Sequence, residues 1–140
     1  MEFTLSGVRV MVVDDDLGIH SLIGELLRHW GCASMDFLAD GADAPVRYQR
    51  TRPDLVIMDV EMPGISGPEA ARAIKELDPH AVILLLTGVP DGNLARRALQ
   101  EKWVKAVLPK PFRFDQLRIA IQEALGPRHK GGKASEGAVA

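Results

Sequence analysis

The sequence predicts an α/β fold, a doubly wound parallel sheet of five strands with helices on both faces. Three observations carry this. Five short aliphatic or β-branched runs recur between longer stretches of helical periodicity. Three of the five are nearly continuous apolar runs, as expected of strands covered on both faces. Five strand–helix units fit within about 120 residues, which calls for right-handed crossovers in one domain.

The elements follow in order. Val8-Arg9-Val10-Met11-Val12-Val13 is the first strand, stopped by three aspartates. Ile19, Leu22, Ile23, Leu26, Leu27 and Trp30 form the apolar stripe of the first helix, with Asp16 as its N-cap and Gly31 as its stop. Ala33 to Phe37 is the second strand. The second helix, about Ala44 to Gln49, is the weakest, because Pro45 must lie in its first turn. Leu55-Val56-Ile57-Met58 is the third strand. Pro68 suits the first position of a third helix carrying Ala71, Ile74 and Leu77, with Asp78-Pro79 as its exit. Val82 to Leu86 is the fourth strand, and Leu94 and Ala98 mark the fourth helix. Ala106-Val107-Leu108 is the fifth strand, placed at a sheet edge where Pro109 is tolerable. Phe114, Leu117, Ile121 and Leu125 define the last helix, closed by Gly126-Pro127. Residues 126–140 are Gly-, Ala- and Lys-rich without periodicity and are expected to be disordered.

Composition narrows the function. The chain has 140 residues, with 17 Lys plus Arg against 19 Asp plus Glu, a net charge of −2. The tail holds Arg128, Lys130 and Lys133 against Glu136, leaving 14 basic and 18 acidic residues, or −4, in the body. Such a balance gives no attraction to nucleic acid or an anionic membrane. The longest aliphatic run, Ala81 to Leu86, is far short of a membrane span, and the N-terminus lacks the features of a signal peptide. Cys32 is the one cysteine, which excludes an internal disulfide and a cysteine-built zinc site. A cytoplasmic location is the expectation.

In an open parallel sheet the ligand site lies beyond the carboxyl ends of the strands. After the first strand come Asp14, Asp15 and Asp16; after the third, Asp59; after the fourth, Thr87; after the fifth, one proline later, Lys110. The second strand delivers nothing obvious. Carboxylates gathered at one rim repel each other by roughly 4 kcal/mol per pair at 4 Å and an effective dielectric near 20. An all-oxygen cluster of this kind favours a hard divalent cation, and a small, partly hydrated site favours Mg²⁺. A carboxylate nucleophile, a hard metal, an ammonium and a hydroxyl together suit phosphoryl transfer through an aspartyl phosphate.

At this point the residues resemble the receiver domain of bacterial two-component response regulators. The matching pieces are Val12-Val13-Asp14-Asp15-Asp16, Asp54-Leu55-Val56-Ile57-Met58-Asp59, Met62-Pro63-Gly64-Ile65-Ser66-Gly67, Leu86-Thr87-Gly88 and Lys110-Pro111-Phe112. Five such pieces in this order are specific, and they span residues 8 to about 125. The resemblance implies a flavodoxin-like (βα)5 sheet of order 2-1-3-4-5, a receiver domain over 1–125, and a tail or truncated linker over 126–140. It implies that Asp59 is the phosphoacceptor and that Asp15, Asp59 and the Glu61 backbone carbonyl bind Mg²⁺ directly, with Asp14 acting through water. Thr87 would be the switch hydroxyl, Lys110 would pair with the phosphoryl oxygens, and Gly88 would leave room for the phosphodonor. The Lys110–Pro111 peptide is expected to be cis.

The implied function is a signalling switch that takes its phosphoryl group from a histidine kinase or phosphotransfer protein. It then changes its fourth helix–fifth strand–fifth helix face toward a downstream protein. On this reading it is no enzyme beyond catalysing its own phosphotransfer and slow autodephosphorylation, and it acts either alone or as part of a longer chain. Two positions depart from the family pattern. Val107 stands where an aromatic residue usually lies, three before the lysine, and Trp103-Val104 replaces the usual Gly-Ala. These departures favour the alternative of a binding module that works without phosphorylation, whereas the intact acidic set opposes it. A Mg²⁺-dependent phosphatase would carry an aspartate where Glu61 stands and would need a cap domain. Bland readings accompany the rest: the four histidines as surface residues, Cys32 as a small buried hydrophobe, Arg96 and Arg97 as a solvated helix face, and Trp103 as ordinary packing.

Overall fold

The computed structural model describes residues 3–127. The strands are β1 (Arg9–Val13), β2 (Ser34–Leu38), β3 (Leu55–Asp59), β4 (Ile83–Thr87) and β5 (Ala106–Pro109). The helices are α1 (Leu17–His29), α2 (Ala44–Thr51), α3 (Gly67–Leu77), α4 (Asn93–Gln100) and α5 (Phe114–Leu125), and a short 3₁₀ turn over Gly41–Asp43 leads into α2. The sheet is wholly parallel, in the order β2-β1-β3-β4-β5. Of the tail expected over 126–140, residues 128–140 lie outside the described residues, whereas Gly126 caps α5, its N–H donating to the Gln122 carbonyl.

Two apolar layers sandwich the sheet, and strand alternation sorts residues between them. Val10, Val12, Leu55, Ile57, Leu84 and Leu86 pack with Ile23 and Leu27 of α1 and Leu117 and Ile121 of α5. Met11, Val13, Val56, Met58, Ile83 and Leu85 face Tyr48 of α2, Ile74 of α3 and Ala98 of α4. Every residue of β3 and β4 is buried, which explains their unbroken apolar sequence. The edge strand β2 is buried only at Leu38, so its sequence signal is weak.

Caps fix where the helices begin. Asp16 accepts from the Gly18 N–H at 2.8 Å and starts α1 directly after the acidic loop. Helix α3 opens on Gly67, with Pro68 second, because Ser66 is its N-cap: Ser66 Oγ accepts from the Glu69 N–H and Glu69 Oε1 from the Ser66 N–H. Across the second layer, Tyr48 Oη donates to Asp78 Oδ2 at 2.7 Å, tying α2 to the end of α3.

Candidate functional site

Strand register assembles the rim. Val13 pairs with Met58, so Asp14 lies in line with Asp59 on the neighbouring strand, and both continue the rows that face α1 and α5. Asp59 in turn pairs with Leu86, and Thr87 with Pro109, which places Thr87 and Lys110 at the same end. The Lys110–Pro111 bond is cis, and the Lys110 N–H donates to the Thr87 carbonyl at 2.7 Å.

The acidic side chains converge. Carboxylate oxygens of Asp14, Asp15 and Asp59 lie within 4.8 Å of one another, with Asp15 exposed and the other two buried. Lys110 Nζ lies 2.9 Å from Asp59 Oδ1 and 3.5 Å from Asp14 Oδ2. Asp14 is oriented from both ends, its N–H donating to the Leu38 carbonyl and its Oδ1 accepting from the Asp16 N–H.

Burial dominates the electrostatics. Desolvation pushes the Asp59 carboxyl above its usual range, and the charges of Asp14 and Glu61 push the same way, against the pull of Lys110. Desolvation raises Asp14 as well, opposed by the Asp16 N–H and by Lys110. At Lys110 burial works against the charge, but the hydrogen bond to Asp59 and the nearby carboxylates outweigh it and hold the pKa above the ordinary value.

The residues present fit a hard divalent cation. Asp14 Oδ2 and Asp59 Oδ1 are buried with no hydrogen-bond donor upon them other than the ion-paired ammonium. Three carboxylates against one ammonium leave two uncompensated negative charges, an amount that one divalent ion balances. The donors are all oxygen, which selects a hard ion over a transition metal. Exposed Asp15 gives the cluster an open side toward solvent.

Two expected residues take up more particular places. Thr87 is fully buried, and its Oγ1 accepts from the Val89 N–H at 2.9 Å, so the hydroxyl holds the β4–α4 loop. Glu61 is exposed just beyond β3. Gly67, which the sequence shows only as the last residue of a matching piece, has a structural role of its own. A Cβ there would collide with the Asp59 carbonyl oxygen, while its N–H donates to the Val60 carbonyl at 2.8 Å. The available signal was the small residue between Ser66 and Pro68, at the point where the loop carrying Glu61 folds back on β3. At Gly88 an added Cβ would meet nothing within 4 Å, so that side of the rim is open.

Trp103 and Cys32 pack against the core as their bland readings expect, and they and His20 make more particular contacts besides. Trp103 is held between Arg72 and Arg97, each guanidinium carbon 5.5 Å from the ring centroid, so Arg97 is a stacking partner. Cys32 is half-buried, and its thiol donates to the carbonyls of Val8 and Ser34. His20 lies against the Phe37 ring at 5.3 Å.

Residues 10–122 match the family model for the response regulator receiver domain. The chain is 31% identical over 117 residues to the chemotaxis protein CheY of Bacillus subtilis, covering 84% of this chain and 97% of that protein. It is 36% identical over 134 residues to the transcriptional regulatory protein PdtaR of Mycobacterium tuberculosis, covering 94% of this chain and 63% of that one. Among solved structures, the response regulator protein TrrA of Thermotoga maritima, in complex with Mg²⁺ and BeF, superposes with a TM-score of 0.73 at 35% identity, covering 84% of this chain and 99% of that one.

Proposed function

We propose, from the premise that this chain belongs to the response regulator receiver domain family, that it is a phosphorylation-driven switch whose acceptor is Asp59. The observation that carries the reading is the 2.9 Å approach of Lys110 Nζ to a buried Asp59 oxygen within the carboxylate cluster.

Asp59 ends β3, where Gly67 approaches its carbonyl closely and its carboxylate joins those of Asp14 and exposed Asp15. An Asp59 oxygen attacks phosphorus as the phosphorus–nitrogen bond of a phosphohistidine breaks, and the imidazole leaves. The Lys110 ammonium, already in place, offsets charge on the transferring group. Asp14, Asp15, Asp59 and the Glu61 backbone carbonyl would hold Mg²⁺, which when bound spreads the negative charge of the phosphoryl oxygens.

Phosphorylation adds roughly −1.5 to −2 units of charge at neutral pH. When the Thr87 hydroxyl turns toward the new oxygens it lets go of the Val89 N–H and frees the loop that begins α4. The consequence is a change in the α4–β5–α5 face, where Leu94 and Ile119 are exposed and Val107 is half-buried. With Val107 lacking a ring to swing, the Val89 link is the route by which the site speaks to that face. The domain turns over no separate substrate; it modifies itself and slowly reverses the change. Donors are a histidine kinase or a phosphotransfer protein, and the receiver spans residues 1–125. No helix among the described residues is long and apolar enough to cross a membrane.

The test is transfer of labelled phosphate from a phosphohistidine donor, with and without a chelator. Label should move to the parent only when Mg²⁺ is present, and label transferred equally to Asp59→Ala would refute the assignment.

A further inference from the structure

We propose that a basic cleft at the end of the sheet opposite the acidic rim binds a small phosphate-bearing anion. The cleft has a volume of about 590 Å³, within the range of small-molecule sites, and runs between the edge strand β2 and α2. Arg9, Ser34, Asp36, Arg47, Arg50 and Thr51 line it. Three guanidiniums and the Asp36 carboxylate line it, and the Asp54 carboxylate lies beside it, accepting from the Arg9 N–H at 2.9 Å, so one positive charge is in excess in a chain whose net charge is −2.

Two of the guanidiniums are held in place by the fold. Arg47 Nη1 lies 2.6 and 2.7 Å from the two Asp36 oxygens, and Arg9 Nη2 donates to the Arg52 carbonyl at 3.0 Å. Arg50 is exposed on α2, and its guanidinium has no hydrogen bond or ion pair among the described residues. Anchored arginines that still carry free N–H groups, beside one with all its donors free, offer the planar forks that match phosphate oxygens. The negative end of the α2 dipole opposes an anion at Thr51, but its half charge is smaller than the excess supplied by the arginines.

The site is separate from the acidic rim. Arg9 begins β1 and Asp14 follows its end, five positions or roughly 16 Å away at the strand rise of about 3.3 Å per residue. Occupancy of the cleft therefore needs neither Mg²⁺ nor Asp59, and it stands whether or not Asp59 is the phosphoacceptor.

The experiment is an amide NMR titration of the whole chain with pyrophosphate, without Mg²⁺ and with chelator. Saturable shifts are expected at residues 9, 34–36 and 47–51, with residues 14 and 59 unmoved. Arg50→Ala, on an exposed helix position that alanine suits, should weaken binding about fivefold, and Arg50→Lys should recover part of the loss. Arg118→Ala, which removes a positive charge from α5, should bind as the parent does. Shifts that do not saturate, an equal loss in Arg50→Ala and Arg118→Ala, or tighter binding of an oligoglutamate peptide than of pyrophosphate would each overturn the proposal. The last result would assign the cleft to an acidic protein segment instead.

Discussion

The Lys110 ammonium, carried just beyond the edge strand β5, reaches across the end of β4 to lie 2.9 Å from the Asp59 carboxylate on β3. It is the cation that accompanies two buried carboxylates, with Asp14 Oδ2 at 3.5 Å. Replacing it with a neutral side chain leaves both uncompensated. Lys110→Met should destabilise the metal-free protein by about 2 kcal/mol, below the cost of breaking a fully buried pair because the lysine is partly exposed. Urea unfolding in the presence of chelator measures this.

The same burial sets a pH dependence. Asp14 and Asp59 have folded-state pKa values above the ordinary 3.8, so between 3.8 and the raised values the folded state binds more protons than the unfolded. Their contribution to stability is present below the unfolded pKa and is lost as pH rises through the folded pKa. A divalent ion reverses this by favouring the charged forms. Thermal melts with and without Mg²⁺ should therefore diverge progressively as the pH rises above the ordinary carboxylate value of 3.8, with little difference at the acid end.

Thr87 Oγ1 and the Val89 N–H are joined at 2.9 Å, and Thr87→Ala leaves that donor without its side-chain acceptor. The expected cost is about 1 kcal/mol. Asp59 should still be phosphorylated in this variant, but the amide shifts that spread into α4 on phosphorylation should disappear, and Thr87→Ser should restore them. Paired NMR spectra of each variant with and without phosphodonor separate the two effects.

Glu61 is exposed just after β3, and its charge acts on Asp59. A carboxylate there can accept a hydrogen bond from water approaching the phosphoryl group. Glu61→Asn should lengthen the phosphoryl lifetime by about threefold or more, far less than a fully positioned general base would provide. A dephosphorylation time course of the two proteins decides it.

Much of this architecture was legible because burial writes itself into sequence. The unbroken apolar runs of β3 and β4 correspond to strands with no exposed residue, and the polar residue ending each is a rim residue. β2 was faint since an edge strand buries little. Helix α3 starts one residue before the position that Pro68 suggests, because Ser66 and Glu69 form a capping box. What pattern could not show were contacts between distant segments. The stack of Arg72, Trp103 and Arg97 joins α3 and α4 to the loop before β5, and the cleft gathers Arg9, Asp36, Arg47 and Arg50 from β1, β2 and α2. The hydrogen bond from the Val89 N–H to Thr87 depends on loop geometry, and Gly67 matters through its approach to a carbonyl, which no local propensity encodes.

The central claim is that one buried carboxylate in a metal-binding cluster carries phosphorus. Intact mass after incubation with a small phosphodonor and Mg²⁺ tests it most directly. The parent should gain a single phosphoryl group, while Asp59→Asn and the parent kept in chelator should gain none. A parent left at its starting mass, or an Asp59→Asn variant modified to the same extent, would contradict the account.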